Sequence, residues 1–123
     1  MLRPVHFEFA VSDPGRASKF WKDVFGWKIE KWDGPEDYWL VTTGEKGADG
    51  IDGGLMRRRE EGEQTVINTI TVDSVDDYVK KITDAGGEIA VPKMAISGVG
   101  WFCYFKDTEG IMSGIMQPDA NAK

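Results

Sequence analysis

The feature that most constrains this chain is that it can be read twice, at an offset of 61 residues. Val5-His6-Phe7-Glu8-Phe9-Ala10-Val11 falls on Val66-Ile67-Asn68-Thr69-Ile70-Thr71-Val72. Both runs have the period-2, β-branched and aromatic character of strands. Each leads into a helix. In the first, Ser12 or Asp13 can cap the N-terminus, Pro14 suits the opening turn, and Ala17, Phe20, Trp21, Val24 and Phe25 form an i, i+3, i+4, i+7 stripe. In the second, Asp73 or Ser74 caps a stripe of Val75, Tyr78, Val79 and Ile82, and Asp76 and Asp77 suit the positive end of the helix dipole. Gly26 and Gly87, again 61 apart, are the expected helix stops, because glycine takes the left-handed conformation readily.

Three short apolar runs follow each helix. Strands are expected at Trp27 to Trp32, Tyr38 to Thr43 and Ile51 to Met56, then at Glu88 to Val91, Gly100 to Phe105 and Ile111 to Met116. Turn residues separate them, as in Asp33-Gly34-Pro35, Ser97-Gly98 and Asp107-Thr108-Glu109-Gly110. A chain of 123 residues can bury one core but not two ordinary ones. One domain over residues 1–123 is therefore expected, with module one at about 4–56, a linker at about 57–65 and module two at about 66–117. The expected fold class is α+β: two tandem βαβββ modules forming a curved mixed sheet around a cavity. Alternation puts Phe7, Phe9 and Val11 under the helix, and His6, Glu8 and Ala10 on the opposite face, matched in module two by Ile67, Thr69 and Thr71.

Charge and composition exclude several classes. The formal charge of −6 repels phosphate backbones, and Arg57-Arg58-Arg59 is followed at once by Glu60, Glu61 and Glu63. That run reads as a solvated loop between modules, and nucleic acid is not an expected partner. The longest apolar stretches are a few residues, so no membrane span is expected. Met1-Leu2-Arg3-Pro4 leads directly into strand-like pattern with no signal-peptide core, which gives a cytoplasmic expectation. Cys103 is the only cysteine, so neither an internal disulfide nor a Cys-cluster zinc site can form. Flanked by aromatics, it reads as a small buried hydrophobe. With one histidine in the chain, no catalytic triad can form without His6. The glycines from Gly44 to Gly54 open no helix and make no phosphate loop.

A paired βαβββ repeat with a His at the start of strand one and Asp107-Thr108-Glu109-Gly110 before the last strand resembles the vicinal oxygen chelate superfamily. That group includes glyoxalase I, extradiol dioxygenases, fosfomycin-resistance enzymes and bleomycin-resistance proteins. The resemblance runs from Val5 to Gln117. Its most specific motif is Phe20-Trp21-Lys22-Asp23-Val24-Phe25-Gly26-Trp27, similar to the family's Phe-Tyr-x-x-x-Phe-Gly-Trp. Gly53-Gly54-Leu55, Asp84-Ala85-Gly86-Gly87 and the segment from Gly100-Trp101 to Gly110 resemble a branch outside the glyoxalases.

The resemblance implies one divalent ion held by up to four side chains, from the first and last strand of each module. Here the inherited positions are His6, Gly53, Ile67 and Gly114, of which only His6 carries a donor. A catalytic divalent metal generally needs about three protein ligands. No cofactor is therefore expected, and weak divalent-metal binding stays open. His6 and Glu8, at i, i+2 on one face, are the candidates for a relocated site with Asp52 if the register slips by one, or for metal-free catalysis.

Phe7, Phe9, Phe20, Trp21 and Phe25 read as core, while alternation should turn about half of Trp39, Trp101, Phe102 and Tyr104 toward the cavity. The expected ligand-binding set is His6, Glu8, Trp39, Thr69 and Trp101. Three functions follow. The first is a glyoxalase/bleomycin-resistance-like protein that binds a small organic molecule and has lost the metal site. The second is a metal-dependent lyase, isomerase or dioxygenase of the glyoxalase type. The third is a metal-free enzyme in which His6 and Glu8 shuttle a proton. Members of the superfamily usually pair, and a small domain gains buried area by pairing, so a homodimer is expected.

Overall fold

The computed structural model describes residues 2–60 and 62–123; Met1 and Glu61, the latter part of the acidic run after the arginines, lie outside the described residues. The chain divides into two compact units, one of His6–Ile67 and one of Asn68–Lys123 with the residues before His6.

The first unit carries β1 (Pro4–Val11), α1 (Pro14–Phe25), β2 (Lys28–Lys31), β3 (Tyr38–Thr42) and β4 (Asp52–Arg57). Its strands lie in the order β2-β3-β4-β1, with β1 parallel to β4 and the other neighbours antiparallel. The second carries β5 (Val66–Thr71), α2 (Val75–Asp84), β6 (Glu88–Ile96), β7 (Gly100–Lys106) and β8 (Met112–Pro118). Its order is β6-β7-β8-β5, with β5 parallel to β8 and the rest antiparallel. Strand order and direction are therefore the same in both, and the fold is α+β, two βαβββ modules in tandem.

Local chemistry explains the helix starts. Asp13 stands in extended conformation and accepts the Arg16 backbone N–H at 3.0 Å, which selects it over Ser12 as the cap; Pro14, lacking an N–H, fills the first turn. Ser74 likewise accepts from the Asp77 N–H at 3.1 Å. Gly26 ends α1 at φ 72°, with its N–H on the Lys22 carbonyl. The second stop differs from expectation. Helix α2 ends at Asp84, and the left-handed residue is Gly86, at φ 95°, not Gly87. Gly87 is instead a close-approach position, where a Cβ would stand 2.7 Å from Ile82 Cγ2 and 2.9 Å from the Lys106 carbonyl.

Each unit buries its core between helix and sheet. In the first, Phe7, Ile29, Val41 and Leu55 are buried, with Phe9, Val11, Ala17 and Trp21 packed on them. In the second, Val72, Val75, Cys103 and Ile115 take that place, under Tyr78, Val79 and Ile82. The helix-facing sets are those that alternation indicated. Two core assignments do not hold: Phe20 and Phe25 are 55% and 58% exposed, as is Val24 at 55%. The five-residue stripe covers a wider arc than one sheet can bury, so Ala17 and Trp21 turn inward while Phe20 and Phe25 lean on the Trp21 ring, with centroids 5.4 and 5.3 Å away. Strand β6 also runs five residues past Val91, through Pro92, by shifting register between Ile89 and Met94.

Candidate functional site

Strand register decides which side chains share a face. In β1 and β4, His6 pairs with Asp52, Phe7 with Gly53 and Glu8 with Gly54. Paired residues point to the same side of a sheet, so His6, Glu8, Asp52 and Gly54 lie together away from the helix. Strand β3 adds Leu40, paired with Gly54, and Tyr38, paired with Met56. Gly53 therefore does not occupy the inherited position read from the repeat. It faces Phe7, where a Cβ would stand 2.5 Å from the phenyl ring. In the second unit Thr69 pairs with Gly114, so the residue matching Gly114 is Gly54, and the offset between the last strands is one short of 61.

The slip brings out a contact that the sequence reading missed. Tyr38 crosses Gly54 and places its hydroxyl 2.9 Å from His6 Nε2. A Cβ at Gly54 would stand 1.6 Å from that hydroxyl oxygen, so only a glycine leaves room for the phenol. The sequence signal was available: a Gly-Gly pair inside a strand marks close approach of another group. His6 is half-buried, and burial lowers its pKa against the raising pull of Glu8 and Asp52. A neutral imidazole offers one ring nitrogen as donor and the other as acceptor, and either tautomer can bond the phenol.

His6 shares its face with two carboxylates, yet the three do not form a cage. Asp52 Oδ1 accepts the Thr43 backbone N–H at 2.9 Å and lies 3.3 Å from the Thr43 hydroxyl. Among the described residues, no group of three or more His, Cys, Asp or Glu is placed to hold a metal ion. Gly54, Gly114 and Ile67 supply no donor, and the phenol stands over Gly54. The side chains present do not fit the family's divalent ion.

In the second unit the Thr69 side is closed more tightly. Thr69 is 2% exposed and its hydroxyl has no hydrogen-bond partner among the described residues. A Cβ at Gly114 would sit 3.0 Å from that hydroxyl and 2.4 Å from the Phe102 ring. Phe102 and Tyr104 lie on this side, Tyr104 paired with Gly114, their ring centroids 4.7 Å apart.

The two tryptophans of the expected ligand set lie on the other faces. Trp39 pairs with Leu55 and packs on the helix-side core. Trp101 packs on the core under α2, donates its indole N–H to Asp119 at 3.0 Å and carries Lys93 Nζ 4.9 Å from its ring centroid. Of the four aromatics, Trp39 and Trp101 thus lie on the helix side and Phe102 and Tyr104 on the opposite face, a phase that was not readable from sequence. Cys103 is fully buried, directs its thiol to the Val91 carbonyl at 3.2 Å, and burial pushes its pKa up. That environment disfavours a nucleophile.

Comparison with known proteins bears on this geometry. The Glyoxalase/Bleomycin resistance protein/Dioxygenase superfamily matches residues 3–114. The proteins named "Putative glyoxylase CFP32" of Mycobacterium bovis and Mycobacterium tuberculosis are 28% identical over 120 residues, which cover 93% of this chain. The chain spans 45% of the length of these curated relatives. A methylmalonyl-CoA epimerase solved in complex with methylmalonyl-CoA and NH4+ aligns with a TM-score of 0.73 at 13% identity, over 100% of this chain and 99% of its own. The methylmalonyl-CoA epimerase from Mycobacterium tuberculosis gives 0.68 at 16%, over 94% and 87%. At such identities these likenesses bear on the fold alone. The repeated βαβββ unit and a match over nearly the whole length lead to one assignment: the chain belongs to the Glyoxalase/Bleomycin resistance protein/Dioxygenase superfamily.

Proposed function

We propose that this protein binds a small organic molecule without a resident divalent metal, using His6, Tyr38 and Glu8 of the first unit. The observation that carries the reading is the phenol on His6: Nε2 of the imidazole already has a partner 2.9 Å away, above a glycine. The solved epimerase, whose bound ligand is methylmalonyl-CoA, supports the capacity of this fold for an organic ligand. In this reading residues 1–123 work as one domain, with modules at about 4–56 and 66–117 joined by 57–65, and as a cytoplasmic homodimer.

Elemental analysis of protein purified without added metal tests it. Zinc, nickel, iron and manganese should sum to well under one equivalent, and His6→Ala should leave that figure unchanged. The protein should not isomerise the methylglyoxal–glutathione adduct. Stoichiometric metal lost on His6→Ala would overturn the reading in favour of a metal-dependent lyase, isomerase or dioxygenase.

The lowered pKa of His6 favours a second reading, metal-free proton transfer. An imidazole neutral at neutral pH, beside the nearly buried Glu8 carboxylate, can accept a proton from a bound substrate. Solvent-deuterium exchange into a bound carbon acid, abolished by His6→Ala, would separate catalysis from binding alone.

A further inference from the structure

A second feature lies on the helix side of the first sheet. A cleft of about 380 Å³ opens between α1 and the β2 and β3 strands, with Gly15, Ser18 and Lys22 on one wall and Ile29, Lys31 and Trp39 on the other. Ser18 sits on the inward face of α1, is 8% exposed, and its hydroxyl has no hydrogen-bond partner among the described residues. The repeat shows what this position holds when it serves packing alone. Sixty-one residues on stands Val79, which packs on the buried cluster of the second unit. A buried hydroxyl in place of that valine costs stability unless something satisfies it.

Gly15 points the same way. Within a helix glycine is disfavoured against alanine, and a Cβ there would meet only Asp13 Oδ1, at 3.5 Å. Nothing in the packing demands the glycine, and its bareness widens the cleft. The charge is also unlike the rest of the chain. Lys19, Lys22 and Lys31 line the cleft against Asp23 alone, in a protein of net charge −6. Lys19 is bound to Asp23 at 2.5 Å and Lys31 lies 3.4 Å from Asp37, while Lys22 has no ion-pair partner among the described residues. Trp39 lies beside them, with Lys31 Nζ 5.5 Å from its ring centroid.

We propose that this cleft is a binding site for a small organic anion, a carboxylate or phosphate carried on a planar apolar body. The oxyanion accepts from Lys22, Lys31 and the Ser18 hydroxyl, and the planar body lies against Trp39 and Ile29. The site is separate from the His6 face, where Glu8 and Asp52 would repel an anion.

Isothermal titration of the purified protein with benzoate, phenyl phosphate and neutral benzamide tests the proposal. Benzoate or phenyl phosphate should bind, benzamide should not, and Lys22→Gln and Lys31→Gln should each weaken binding about tenfold. Ser18→Ala should weaken binding while raising the melting temperature of the free protein, a combination that a purely structural serine would not give. His6→Ala should leave the affinity for the anion unchanged, so failure of the His6 reading does not touch this one. Benzamide binding as well as benzoate, indifference to both lysine variants, or no binding of either anion at millimolar concentration would overturn the proposal.

Discussion

The Tyr38 hydroxyl lies 2.9 Å from His6 Nε2 because Gly54, between them, has no side chain. The pair thus depends on a third residue that bonds to neither. A methyl group at Gly54 would stand 1.6 Å from the hydroxyl oxygen, so Gly54→Ala must expel the phenol. Overpacking of this kind costs about 1–3 kcal/mol. In a Tyr38→Ala background the same change should cost much less, since the clashing group is gone. Chemical denaturation of the four proteins measures the coupling; additive costs would show that the phenol is not held where the geometry puts it.

His6 is the only histidine, so its imidazole resonance can be followed by NMR without assignment by mutation. Burial should hold its pKa below the ordinary value of about 6.5. The sign for stability follows. Below pH 6.5 the unfolded chain takes up the proton before the folded one does, so stability is full above that pH and falls as pH drops toward the folded pKa. Glu8 and Asp52 raise the pKa, so Glu8→Gln should lower it further and widen the window. An imidazole titrating above 6.5 in the native protein would contradict the burial argument.

Thr69 carries an expectation of opposite sign. Its hydroxyl is buried and unpartnered, so replacing it with the methyl of valine removes a desolvation cost of about 1–3 kcal/mol. Thr69→Val should raise the melting temperature of the ligand-free protein. If the hydroxyl serves a ligand, the same variant should bind that ligand less well. A drop in melting temperature would mean that the hydroxyl is satisfied within the fold.

The repeat, the βαβββ order of elements along the chain and the inward faces were legible because they rest on local periods: alternation in β1 and β5, the stripe in α2, and cap candidates narrowed to two neighbouring residues at each helix start. Register was not. His6 and Asp52 are far apart in sequence, and no local pattern says whether Asp52 or Gly53 stands opposite His6, although a one-residue slip reverses the face of every side chain. That slip moved the inherited position from Gly53 to Gly54 and hid Tyr38. The same indeterminacy of phase placed Trp39 and Trp101 in the expected ligand set when both lie under helices. Phe20 and Phe25 failed for another reason: a helical period fixes a stripe, but how much of it is covered depends on the width of the partner sheet.

That last distinction separates two substitutions of similar chemistry. Leu55 is fully buried in the first core, against Phe7, Ile29 and Val41. Leu55→Ala removes its apolar contacts and leaves a cavity, and should cost about 2–5 kcal/mol. Val24 belongs to the α1 stripe yet is 55% exposed, and it stands in the last turn of the helix before Gly26. There a β-branched side chain loses rotamer freedom without gaining much packing, whereas alanine favours the helix by a few tenths of a kcal/mol. Val24→Ala should therefore be neutral or slightly stabilising in urea denaturation at low micromolar protein concentration. A loss comparable to that of Leu55→Ala would mean that the outer half of the stripe is covered in solution.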